Sequence, residues 1–485
     1  PLRLVGSEMC IRDRVSSVYA VEIDPSDENI VYFSGAGTLY KSTDGGATHT
    51  NIGADEFSSG VGIKEIMIHN GKLWVASDQG LYYSTNNGSS FTQKMSGSWL
   101  EMEVHPTNDQ VIYAVRVNST STSFFKSTNN GYSFSVIGNG WPIPNSGDEQ
   151  KRTEIAVSPA SPNKIVALAT GAANGGSGLY GVYISEDQGA NWEFKCCGAQ
   201  AGGAASSSNI NMMGWSDDGT DDGGQYYYDL ALAVNPLDAN IIHVAGVQHW
   251  ISTNGGDSFT CPAKWSHPDK DEYIHADIHD MRYFGNDLWV ACDGGVFYSN
   301  NAGDSFDKKM YGISGTDFWG FGAGFSDGEV MLGGTYHNGT LIKDNNVYEG
   351  GWLCAEGGDN YRGFVNFADS RKVYTDGGGR ILSGDRTVGL GSFAMQYKPN
   401  ASYIVGESSN LEFDPRSPNI LYIGNETTLY KSFDNGASTT ILHDFGERVT
   451  SVEVAWSNPS YIYVCTYESW WGCLLYTSPS PRDVE

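Results

Sequence analysis

The 485-residue chain is poor in positive charge, with 29 Lys and Arg against 57 Asp and Glu, a formal net charge of −28. A surface of that sign repels the phosphate backbone, so nucleic acid is excluded as a partner. No apolar run approaches the ~18 residues that a membrane-crossing helix needs. No stretch carries the i, i+3, i+4 spacing of an amphipathic helix, which excludes helical bundles and alternating α/β folds. A serine nucleophile elbow, a phosphate-binding P-loop and a Rossmann glycine pattern are all missing.

Cysteine is sparse as well, at eight residues. Two of them, Cys10 and Cys473, lie in the end segments "GSEMCIRDR" and "CLLYTSPSPRD". Those segments resemble translated sequencing-adapter sequence and share no periodicity with the interior. Residues 1–14 and 473–485 are therefore set apart as artefact. Among the other six, Cys196 and Cys197 are adjacent, and no pair has the C-x-x-C spacing of a zinc site. Cys261 occupies nearly the same place in the next repeat as Cys196. A disulfide from Cys261 to Cys196 or Cys197 is one expectation for an exported chain; six buried thiols is the other.

Glycine (61 residues) and aromatics (13%) are plentiful instead. They fall in a recurring turn, Ser-x-Asp/Asn-x-Gly-x-Ser/Thr/Asn. "LYKSTDGGATHT" supplies Ser42, Asp44 and Gly46. Further copies carry Ser84 and Asn86, Ser127 and Asn129, Ser185 and Asp187. Ser252 and Asn254, Ser299 and Asn301, and Ser432 and Asp434 complete the set of seven. Short polar side chains accept backbone N–H groups inside a turn and glycine supplies positive φ, so each copy predicts a β-hairpin. A second motif, apolar-x-apolar-Asp/Ser/Asn-Pro followed by a β-rich run, recurs in "VEIDPSDENIVYFSG", "MEVHPTNDQVIYAV" and "LAVNPLDANIIHVAG". With its proline-free versions it marks repeats of roughly 45 residues, the length of a four-stranded propeller blade. The expected fold is all-β, a β-propeller of about ten blades. Residues 15–315 hold blades one to six and 316–472 hold blades seven to ten, the last incomplete. The blades form either two tandem seven-bladed propellers, truncated, or one ten-bladed ring.

The hairpin resembles the Asp-box, or BNR repeat, of sialidases, the sortilin luminal domain, xyloglucan-active glycoside hydrolases and exported bacterial propellers. The resemblance covers nearly all of 18–465. "HADIH" and "CDGGVFYS" are most similar to exported Bacteroidota propellers that carry a C-terminal secretion-sorting domain. It implies a secreted or cell-surface protein whose full-length form bears such a domain. It also implies that the Asp-box residues are structural, on the blade periphery, away from the functional face.

Functional candidates come from the polar strands and loops of repeats five to seven. In "YIHADIHDM" the alternation of His275, Asp277 and His279 directs them the same way, as a divalent-metal site or a polar plug. The loop "WSDDGTDDGGQYYYD" offers Asp217 and Asp221 to calcium, or is a solvated acidic loop. Calcium or another divalent cation is thus the one cofactor candidate. Ligand-face residues are His249, His337, Asp359, Trp319 and Tyr228, the aromatics stacking on sugar rings or filling interblade core. The arginine triad of a sialidase is absent. A glycosidase needs paired carboxylates, for which Asp277 and Asp293 are the candidates. The sequence therefore reads as a non-enzymatic scaffold binding extracellular glycan or protein, with a glycoside hydrolase as the alternative.

Overall fold

Ten antiparallel sheets follow one another along the chain in the computed structural model. It describes residues 18–35, 37–57, 60–173, 176–197, 210–310, 318–335, 338–344, 352–360, 362–383, 390–399, 410–469 and 472–479. Each sheet is a meander of consecutive strands; eight have four strands, and the fifth and tenth have three among the described residues. The first shows the plan, with strands Val18–Ile23, Val31–Gly35, Thr38–Ser42 and Thr50–Ile52. No helix occurs among the described residues. The protein is an all-β propeller of successive blades. The stretch from 473, set apart in the sequence, is built as far as Pro479 into the third strand of the tenth sheet.

The chain divides into two compact units, Pro1–Ile313 with six sheets and Ser314–Glu485 with four. In the first unit the opening strands of successive blades lie side by side: Val18–Ile23, Ile63–His69, Ser98–Val104, Glu149–Val157, Ala231–Val234 and Ile278–Phe284. Hydrophobic clusters bind each blade to the next. Tyr32 and Leu39 of blade one pack with Ile66, Leu73 and Val75 of blade two. Trp74 and Leu81 of blade two then pack with Met102, Ile112 and Phe125 of blade three. Period-two alternation is what lets one strand serve two neighbours, since successive side chains point to opposite faces.

The seven Ser-x-Asp/Asn turns share one hydrogen-bond pattern. Ser127 Oγ donates to Asn129 Oδ1 at 2.9 Å and accepts Gly131 N–H at 2.9 Å, and Asn129 Oδ1 accepts Ser133 N–H at 2.9 Å. The same three bonds recur from Ser42–Asp44 through Ser432–Asp434. All seven serines are buried. Gly131, at φ +74°, shows why the turn needs glycine beyond its backbone angle. A Cβ there would lie 2.3 Å from Cζ2 of Trp74 in the preceding blade. The turn is a staple that also admits a neighbour's side chain.

The seventh blade has no Ser-x-Asp/Asn motif in its sequence at this place. Its Asp344 is fully buried and accepts Arg371 Nη1 of blade eight, while Arg371 Nε donates to Leu382 O at 3.0 Å.

Candidate functional site

The polar groups of blades five and six converge on one edge. Asp277 carries its own backbone signature, φ +63°, a left-handed conformation uncommon for a residue with a Cβ. Its N–H reaches Val247 O at 3.3 Å, Ile278 N–H reaches Gly246 O at 2.9 Å, and Asp293 N–H returns to Asp277 O at 3.1 Å. This pinning breaks the expected alternation of His275, Asp277 and His279, because the strand begins only at Ile278. The three side chains part company. Asp277 Oδ1 accepts Gln225 Nε2 at 2.6 Å, His279 Nε2 lies 2.7 Å from Asp293 Oδ1, and His275 Nδ1 lies 3.1 Å from Ala276 O. No group of three or more His, Cys, Asp or Glu side chains in metal-holding geometry occurs among the described residues.

Gln225 joins two buried acids, since the same Nε2 also donates to Asp229 Oδ2 at 3.0 Å. Burial, followed by the neighbouring Asp277, raises the Asp229 carboxyl to about 7, against the Gln225 hydrogen bond that lowers it. Beside this pair, Tyr228 Oη donates to both Asp293 oxygens at 2.9 and 3.0 Å. The Tyr228 ring meets His279 edge-on at 4.9 Å. Burial presses the His279 imidazole toward neutrality, but the Asp293 hydrogen bond and charge, with Asp229, outweigh it and raise its pKa. Asp229 and Asp277 are 1% and 3% exposed, so water and solutes meet Asp293, His279 and Tyr228 instead.

The loops that carry Tyr228 and follow blade five leave further aromatics open. Trp215, Trp265, Tyr227 and Tyr228 are 44%, 38%, 71% and 47% exposed. Trp265 Nε1 donates to Trp215 O at 3.2 Å, and Gln248 Nε2 ties Ser216 O at 2.9 Å. The Trp215 ring lies over Gly223, where a Cβ would come within 2.5 Å of it. Trp265 had no motif to announce it; its exposure arises from the hydrogen bonds that hold its loop to Trp215 and Gln248.

Other expected residues sit elsewhere. His249 is not on an open face but opens the strand His249–Ser252 and is buried against His243, Nε2 to Nδ1 at 2.9 Å. His243 Nε2 continues to Tyr283 Oη at 2.8 Å, and burial lowers the His249 pKa to about 4. Asp221 is used by its own loop, accepting Trp215 N–H at 2.6 Å, Ser216 N–H and Ser216 Oγ. Asp217 faces Lys264 Nζ at 3.5 Å. The acidic loop is thus stitched internally rather than open around a cation. Trp319, partly buried on Phe318–Ala323, and Asp359, exposed, belong to the second unit. His337 lies outside the described residues. The disulfide joins Cys196 to Cys197, leaving Cys261 a free, partly buried thiol and Cys354 an exposed one. Neither the Cys261 pairing nor six buried thiols holds.

A second concentration of charge was overlooked in the sequence. Glu22, Glu65, Glu101, Glu103, Glu154 and Asp280, from the opening strands of five blades, lie within electrostatic reach of one another and of Arg282. Protein surrounds most of them on several sides, yet all keep partial contact with water. Burial foremost, then mutual repulsion, raises Glu65 and Glu101 well above the usual range and Glu103 to about 7. The signal was present in "VEI", "KEI", "LEMEV" and "TEI": acids recurring in the opening strand of successive repeats.

No family model and no curated protein matches the sequence. Among solved structures the chain is similar to an ancestral GH74 enzyme, at 14% identity and a TM-score of 0.51, over 96% of this chain and 77% of that one. It also aligns with the GH74 enzyme of Niastella koreensis at 16% identity and TM-score 0.42, over 96% and 78%. The GH74 xyloglucanase of Xanthomonas campestris aligns at 14% and 0.40, over 95% and 82%. The first likeness supports the fold alone, and the two lower scores carry no argument.

Proposed function

We propose that the protein is a secreted or cell-surface Asp-box propeller that binds glycan on the edge of blades five and six. The observation that carries this reading is exposed Tyr228, which meets Asp293 and His279, on a loop that also leaves Trp215 and Tyr227 exposed, with exposed Trp265 bonded to Trp215. Flat aromatic faces stack on the C–H faces of sugar rings, and carboxylate and imidazole groups orient the hydroxyls. Tyr228 joins the two kinds of group, its Oη on Asp293 and its ring edge-on to His279. The test is retardation on polysaccharide gels and calorimetry against a panel of soluble plant and bacterial glycans. Trp215→Ala and Trp265→Ala should each weaken binding roughly tenfold, about 1.4 kcal/mol. Retention of no glycan, or binding indifferent to both substitutions, overturns the reading.

A hydrolase is the second reading, and one observation favours it. Asp229, held near pH 7 beside Asp277, would keep a proton available for a leaving group. Their burial under the Gln225 bridge weighs against it, because a catalytic acid must touch its substrate. Release of reducing sugar that disappears in Asp229→Asn, Asp277→Asn or Asp293→Asn would establish the enzyme. The implied sorting domain and the extracellular address rest on the Asp-box resemblance.

A further inference from the structure

Blade four departs from its neighbours just before its second strand. In the turn after the opening strand, Ile30, Val111 and Ile241 N–H donate to Asp27 O, Asn108 O and Asp238 O at 2.9, 3.0 and 3.0 Å. Lys164 N–H makes the same bond to Ser161 O at 2.9 Å, so a lysine stands where blades one, three and five carry Ile, Val and Ile. Its side chain is 8% exposed. Among the described residues its ammonium makes no hydrogen bond, and its one ion pair is with Glu186 Oε1 at 3.9 Å. A buried cation whose N–H donors go unmet is costly. Burial accordingly lowers the Lys164 pKa, against the opposing charge of Glu186.

The ammonium lines a cleft of about 260 Å³ between blades four and five. Ser161 and Glu186 of blade four line it together with Leu237, Asp238 and Asn240 of blade five. Ser158 Oγ donates to Asn235 O at 2.7 Å and so ties the two turns that frame it. The strand Ala231–Val234 runs between Tyr228 and this turn, which sets the cleft at the other end of blade five from the aromatic edge.

Charge and size select the ligand. Around the ammonium, Glu186, Asp238 and Asp257 outnumber Lys164 and Lys195, which disfavours phosphate and other anions. The ammonium itself disfavours cations. The 3.9 Å between Nζ and Oε1 is too long for a hydrogen bond, but a hydroxyl oxygen about 2.8 Å from each atom bridges it, accepting from one and donating to the other. The volume falls below the roughly 300–1,000 Å³ of drug-sized pockets, which suits a single sugar ring. Leu237, 72% exposed, offers that ring an apolar contact. We propose that this cleft binds a neutral monosaccharide unit, one hydroxyl bridging Lys164 and Glu186 and Leu237 lying against the ring's C–H face. The site is separate from the aromatic edge and stands or falls without it.

The test is trace acylation of the intact chain with acetic anhydride, mapped lysine by lysine by mass spectrometry, with and without methyl α-glucoside, methyl α-mannoside and methyl β-galactoside. At about four times its dissociation constant, a bound glycoside should slow acylation of Lys164 roughly fivefold and leave Lys72 and Lys126 unaffected. Trp215→Ala should leave that protection intact. In the Trp215→Ala chain, Lys164→Ile restores the residue of blades one and five and should abolish any rise in melting temperature that the glycoside gives. Unchanged acylation of Lys164 with all three glycosides overturns the proposal, because the cleft then holds only water. Failure of Lys164 to react under any condition overturns it as well, since the ammonium is then closed off from the cleft. Equal protection by inorganic phosphate or glycine betaine assigns the cleft to anions or zwitterions and also overturns it.

Discussion

Replacing Glu103 by Gln should make the protein more stable at pH 8 and leave it unchanged at pH 4. Burial raises the Glu103 carboxyl from 4.5 to about 7, with Asp280 and Glu154 adding repulsion and Arg282 opposing it. Below pH 4.5 the folded and unfolded chains both hold the proton, and the site costs nothing. Between about 4.5 and 7 the unfolded chain has released it and the folded chain has not, so stability falls as pH rises. Above 7 the cost is constant. A shift of that size corresponds to about 3 kcal/mol. Because water reaches the side chain, about 1–2 kcal/mol is the expectation. Glutamine keeps the shape and cannot ionise. Calorimetric melting of wild type and Glu103→Gln at pH 4, 6 and 8 should give curves that coincide at pH 4 and separate at pH 8. Parallel pH profiles at all three values would refute the reasoning, since the acid would then be solvated like an ordinary surface glutamate.

The buried imidazoles act with the opposite sign. His249 is held neutral to about pH 4 and His243 lower than usual by burial, so stability falls as pH drops from about 6.5 toward 4, by on the order of 2–3 kcal/mol. His249→Gln should flatten that acid limb in the same melting series. Ser127→Ala removes the hydroxyl that serves Asn129 and Gly131 and should cost about 1–2 kcal/mol by urea titration. Gly131→Ala should cost more than Ser127→Ala, because the added methyl meets Trp74 and the backbone is at φ +74°.

The fold was legible because its signals are local and repeated. Ser42, Asp44 and Gly46 lie within five residues, and their bonds close within the turn, so the sequence alone shows the hairpin. Seven copies fix a period, and the period fixes a blade. Where the local signal fades, the structure uses distant partners. Asp344 meets Arg371 across 27 residues, and no spacing rule announces that pair. The proposed Cys261 bridge failed for a related reason: equivalent places in two repeats are a blade apart, whereas Cys196 and Cys197 are neighbours.

The site was harder to read because it depends on where the alternation stops. Treating "YIHADIHDM" as a regular strand set three side chains on one face, yet the strand starts at Ile278 and Asp277 turns left-handed. Asp277 then points to Gln225, 52 residues earlier, and His279 to Asp293, 14 residues later. Tyr228, which the sequence left between sugar stacking and interblade core, is exposed at this edge with its Oη on Asp293. His249 was misplaced because it belongs to the strand His249–Ser252, paired with Ala245, and not to the loop before it, and so lies buried beside His243. The contrast follows from repetition itself. A position shared by every blade is constrained by its neighbours in the ring and can be inferred from its copies. A site arises where one blade departs from the rest, and there the copies say nothing about what the departing residues touch.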